Sequence, residues 1–192
     1  MMHLKFVLNF LLLSSCLLAQ NPEQTFRFGM KACSMQQYST ARLAFERLLF
    51  FRQDSFALQS MKQLALISLL EKKLPEAADW FSRLAAGTGS STEQAWCELN
   101  RAAIQLQMKD ARMAQMTLLG LPEELPDSLR QYRDFLLGTS YFLELKFPES
   151  REAFRMALNT HEPQIRLRLD SLFDALTRIR HPKPNLARVL SI

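Results

Sequence analysis

Leu137-Gly138-Thr139-Ser140-Tyr141, then Phe147, then Phe154-Arg155-Met156-Ala157, is the stretch that decides how this chain folds. The same spaced set returns along the sequence. A first unit carries Phe28-Gly29, Tyr38, Ala41, Phe45 and Leu48, and a second carries Leu64, Ala65, Leu74, Ala77, Phe81 and Leu84. A third reads Leu99, Ala102, Met108, Ala111 and Leu118, with Gln115 where the others have an aromatic. The small residue opening the second helix of each unit falls at Ala41, Ala77, Ala111 and Ser150, at intervals of 36, 34 and 39 residues. Singly, each aromatic is what any buried helix face shows, so the joint spacing carries the inference. Glycine and alanine sit where two helices cross, because a larger side chain holds the backbones apart.

This pattern resembles the tetratricopeptide repeat over about residues 22 to 162, where the period is roughly 34 residues. The resemblance implies an all-α fold: a right-handed α-solenoid of about four helical hairpins in residues 20–162, closed by a C-terminal capping helix in residues 163–180. Hairpins of this kind cannot bury their apolar faces alone and must stack. In family terms the first helix of each unit lines a concave groove. That places Phe26, Met30 and Cys33, then Lys62, Leu66 and Leu69, then Trp96, Asn100 and Ala103, then Phe135, Thr139 and Phe142 on a largely apolar surface. Phe26 and Met30 stand where some members of the family hold a peptide carboxylate with lysine and asparagine, so that clamp is not expected. The groove receives either a partner segment or the chain's own terminal helix. Trp96 is the residue expected to contact a partner, since aromatics dominate interface energetics.

The N-terminus makes a different statement. His3 and Lys5 precede the apolar run from Phe6 to Leu18, too short to span a bilayer comfortably but suited to the core of a secretory signal. Residues 1–19 are therefore expected to be a signal peptide. Two cuts compete: an ordinary one after Ala19, which is favoured, and a lipoprotein-type one at Leu13-Ser14-Ser15-Cys16, where Cys16 would carry the lipid anchor. Asn21-Pro22-Glu23 then reads as a helix start. With the signal removed, Cys33 and Cys97 remain, on first helices separated by a whole unit, and both thiols are expected to be free.

Charge is distributed unevenly. Residues 20–163 hold 17 basic and 17 acidic side chains, whereas residues 164–192 hold six and two, so the net charge of +5 resides largely at the C-terminal end. Ile165, Leu169, Leu172, Phe173, Leu176 and Ile179 recur at helical spacing and are expected to cover the end of the fourth unit. His181-Pro182-Lys183-Pro184 then breaks the helix, and residues 181–192 form a basic, proline-containing tail that ends in an apolar stretch suited to lead toward a membrane segment. Nucleic acid is not expected as a partner, because the basic residues lack interleaved aromatics.

No catalytic constellation emerges. His3, His161 and His181 are the histidines of the chain, and none pairs with a nucleophile. Gly87-Thr88-Gly89-Ser90-Ser91 lacks the lysine of a phosphate loop and reads as a connection, with Ser91 and Gln94 as a capping box for the next helix. Glu123 and Glu124 lie in a proline-bounded linker, and Asp127 or Ser128 is expected to cap the helix after it. The expectation is a non-enzymatic scaffold of the bacterial periplasm or cell envelope, needing no cofactor or metal and binding a protein or peptide. Membrane association through the tail or a lipid anchor goes with that reading. Two alternatives are a regulatory or sensory domain of a longer membrane protein or enzyme, and a lipoprotein of outer-membrane assembly.

Overall fold

The structure, a computed structural model, describes residues 21–51, 54–158, 170, 171, 173 and 174. Residues 1–20, which include the expected signal peptide and Cys16, residues 181–192 and most of 163–180 lie outside the described residues. The chain divides into two compact units, Met1–Thr88 and Gly89–Ile192. The first holds α1 (Pro22–Ser34), α2 (Tyr38–Phe50), α3 (Asp54–Leu70) and α4 (Leu74–Gly87). The second holds α5 (Ser91–Gln107), α6 (Ala111–Leu119), α7 (Asp127–Leu143) and α8 (Phe147–Leu158). Among the described residues there is no strand, so the fold is all-α.

Among the described residues each unit holds two helical hairpins, and all four of these close on the same turn. Gln36, Lys72, Lys109 and Leu145 adopt left-handed backbone, with φ of 59°, 59°, 63° and 61°. The residue after each donates its N–H five residues back: Gln37 to Ala32 at 2.9 Å, Lys73 to Ser68 at 2.8 Å, Asp110 to Gln105 at 2.9 Å and Lys146 to Tyr141 at 2.9 Å. An inner bond runs from each left-handed residue three back, as from Gln36 to the Cys33 carbonyl at 2.9 Å. This is the Schellman arrangement, which satisfies carbonyls that a helix end leaves orphaned.

These turns correct the register of the third hairpin. Counted from them, the small residue on the second helix is Ala41, Ala77, Ala114 and Ser150, each fully buried, at intervals of 36, 37 and 36 residues. Ala111 instead occupies the place of Tyr38, Leu74 and Phe147, and the aromatic position is filled by Leu118 rather than Gln115. A single residue is inserted between the second and third hairpins.

Packing inside each hairpin follows from those positions. A Cβ on Gly29 would stand 2.8 Å from the Phe45 ring, and one on Gly138 would stand 2.7 Å from the Phe154 ring. Glycine there lets the aromatic of the second helix lie on the backbone of the first. Ala65 with Phe81 and Ala102 with Leu118 keep the same sixteen-residue spacing in the second and third hairpins. In the first unit, Phe45, Leu48, Leu64 and Ile67 form the core, each burial contributing roughly 1.5–3 kcal/mol. In the second, Leu99, Leu106, Leu118 and Leu136 gather with Ala102, Ala111 and Ala114. Phe173 is buried against the rings of Phe142, Phe147 and Phe154 at 6.4, 6.5 and 6.1 Å. Arg155 pairs with Asp170, and Arg151 with Asp174 at 3.2 Å.

Helix starts differ in part from expectation. Asn21 caps α1, accepting the Glu23 N–H at 2.9 Å, with Pro22 as the first helical residue. Ser90 caps α5 in place of Ser91, accepting the Glu93 N–H at 3.4 Å. Pro126 precedes α7, and Asp127, already inside the helix, pairs with Arg130.

Candidate interaction surface

The first helices α1 and α3 present Met30 and Leu66, 36 residues apart, at 40% and 37% exposure. Lys62 is exposed beside Leu66, while Cys33 and Leu69 are half-buried. Phe26 turns inward: its ring lies 5.5 Å from that of Phe45 and 5.3 Å from that of Phe56. Burial pushes the Cys33 thiol above its usual pKa. Both Cys33 and Cys97 are free thiols.

In the second unit, α7 presents Phe135 at 49% and Phe142 at 39% exposure. Phe135 leans on Phe154 at 5.6 Å and Phe142 on Phe147 at 5.8 Å. Between them the Thr139 hydroxyl donates to the Phe135 carbonyl at 3.0 Å, so it is turned back on its own helix. Trp96 and Asn100 do not share the register of these residues. The turn at Lys109 places Leu99, Ala103 and Leu106 in line with Phe135, Thr139 and Phe142, and both leucines are buried. Trp96 instead aligns with Tyr132, whose phenol pKa is raised by burial. The Asn100 amide donates to the Trp96 carbonyl at 2.7 Å, a local bond that takes one of its two N–H donors.

A second apolar surface was not anticipated. Phe28, Leu43 and Ala44, with Gln24, Thr25, Thr40 and Arg47, line a cleft of about 510 Å³ on α1 and α2. Phe28 is 56% exposed, although the residue 36 positions later, Leu64, is fully buried. The sequence signal was Leu43, which stands where α4 has the exposed, ion-paired Asp79.

Neighbouring hairpins within a unit are tied by a repeated polar link. Arg42 of α2 donates to Glu71 at 2.8 Å and also pairs with Glu76, while Lys73 reaches Glu71 at 2.9 Å. The equivalent link in the second unit runs from Gln115 to Glu144 at 2.9 Å, with Lys146 at 2.6 Å from Glu144. Hydrogen bonds from Lys73 and then Arg42 hold the Glu71 carboxyl below its usual pKa; Lys146 and then Gln115 do the same for Glu144. Among the described residues no cluster of three or more His, Cys, Asp or Glu side chains could hold a metal ion, and no helix is long and apolar enough to cross a membrane.

Set beside known proteins, the sequence matches no protein-family model and no curated protein.

Proposed function

We propose that this chain is a non-enzymatic interaction scaffold of the bacterial cell envelope, built as a tetratricopeptide-like solenoid that binds a protein segment along its first helices. The observation that carries this reading is the exposure of Met30, Leu66, Phe135 and Phe142 on the first helices of three hairpins. Apolar side chains exposed on first helices, Met30 and Leu66 in one unit and Phe135 and Phe142 in the other, suit an amphipathic or extended partner segment. The four equivalent turns support the solenoid, and the apolar run Phe6–Leu18 supports export.

Crosslinking and affinity capture in the native envelope test the proposal, comparing wild type with Leu66→Asp, Phe135→Asp and Trp96→Ala. Loss of the same partners with the two aspartate variants, at unchanged helicity, is expected. Equal recovery from all four proteins refutes the surface. Export is tested by sequencing the mature N-terminus, expected at Gln20. Palmitate label that disappears in Cys16→Ser selects the lipid-anchored form instead.

A further inference from the structure

The turn that closes each hairpin places two residues, five apart in sequence, at equivalent backbone positions on either side of it. In the second hairpin these are Glu71 and Glu76, and both reach the Arg42 guanidinium. In the fourth they are Glu144 and Glu149; Lys146 lies 2.6 Å from Glu144, and its hydrogen bond to Glu144, with the charges of Glu144 and then Glu149, favours its protonated form. In two of the four turns a basic side chain is therefore paired here, with both carboxylates in the second hairpin and with Glu144 in the fourth. In the third hairpin the same positions carry Met108 and Met113, on a turn with the same left-handed residue and the same main-chain bonds. Met116 follows one helical turn further along α6, on the face that Met113 occupies. The Asp110 carboxylate accepts the Met113 N–H at 3.1 Å and fixes the start of that helix. All three methionines are exposed, at 40%, 42% and 57%.

The geometry points to Met108, Met113 and Met116 as a binding site for a soft monovalent metal ion of the Cu(I) or Ag(I) kind. Thioether sulfur is a neutral, polarizable donor that selects such ions over hard cations. The neighbouring charges favour a single positive charge over two, since Lys109 and Arg112 outnumber the one carboxylate between the methionines, Asp110, and the ligands themselves are uncharged. This site is independent of the protein-binding surface on the first helices.

Silver(I), which needs no reductant, is the probe. The purified chain carries ¹³C-methyl methionine and Cys33→Ser, which removes the half-exposed thiol. One equivalent of silver is expected to shift the methyl resonances of Met108, Met113 and Met116 together while those of Met30, Met35 and Met156 stay in place. Met108→Leu with Met113→Leu is expected to weaken binding at least tenfold and to leave helicity unchanged. No shift, an equal shift at every exposed methionine, or full binding by the double variant overturns the site.

Discussion

Replacing Phe45 by alanine removes a fully buried ring that lies 5.5 Å from the Phe26 ring and rests on the bare backbone of Gly29. Transfer of the ring to water accounts for roughly 1.5–3 kcal/mol, and the void left behind raises the loss to about 3–5 kcal/mol. Gly29 has no side chain with which to fill that void. Against a total stability of about 5–15 kcal/mol, this is a large fraction. Urea unfolding followed by circular dichroism measures it, and hydrogen exchange should confine the loss to the unit Met1–Thr88. The sharper test is Gly29→Ala. In the native protein its Cβ would stand 2.8 Å from the ring, so crowding offsets the gain of about 1 kcal/mol in helix propensity. With Phe45→Ala already present the clash with the ring is gone and only the Ala44 Cβ, at 3.3 Å, stays close, so most of the gain of about 1 kcal/mol is expected. The double-mutant cycle should therefore give a coupling of about 1 kcal/mol or more. An identical effect of Gly29→Ala in both backgrounds refutes the packing of aromatic on glycine, and the hairpin register with it. Phe154→Ala, acting on Gly138, should cost less, because that ring is only half-buried.

Lys72→Gly should raise stability by up to about 1 kcal/mol in urea melts, since left-handed backbone is costly for a residue with a Cβ; Lys72→Val should lower it. Arg42→Ala should cost about 2 kcal/mol by removing the charged hydrogen bonds to Glu71 and Glu76. Because the folded-state pKa of Glu71 is depressed, its contribution is complete above the ordinary carboxylate range, near pH 4.5, and is lost as pH falls through the lowered value. Acid titration of the melting temperature should thus show a shallower fall in Arg42→Ala than in wild type. Ser150→Ala should cost about 1 kcal/mol, as the buried hydroxyl donates to the Gly138 carbonyl at 2.7 Å. Peptide mapping after thiol labelling should find Cys33 modified slowly at neutral pH and faster as pH rises, and Cys97, 1% exposed, modified only on unfolding.

The hairpins were legible because apolar spacing and small crossing residues are local properties of the sequence. The third register was not. Alanine at both Ala111 and Ala114 lets the pattern slide by three residues, and Leu118 in the aromatic position removes the landmark that Phe45, Phe81 and Phe154 provide. The turn decides it, through left-handed Lys109 and the cap from Asp110, and left-handed backbone at a non-glycine residue leaves no compositional trace. The same slide of three residues separates the register of Trp96 and Asn100 from that of Phe135 and Thr139. Gln115 looked like a defect in the pattern because its role is a contact with Glu144, 29 residues away, which spacing within one hairpin does not reveal. Exposure of Met30 and Leu66 is legible from their shared register, whereas Phe135 and Phe142 are exposed where the aligned Leu99 and Leu106 are buried, and the inward turn of Phe26 depends on Phe56 from another hairpin.

The same main-chain bonds close the four hairpin connections, and glutamine, lysine, lysine and leucine all serve at the left-handed position, each exposed. Chemistry at these places is thus decoupled from architecture. A fluorophore, an affinity handle or a new charge can be grafted at any of the four corners without redesigning the scaffold behind it.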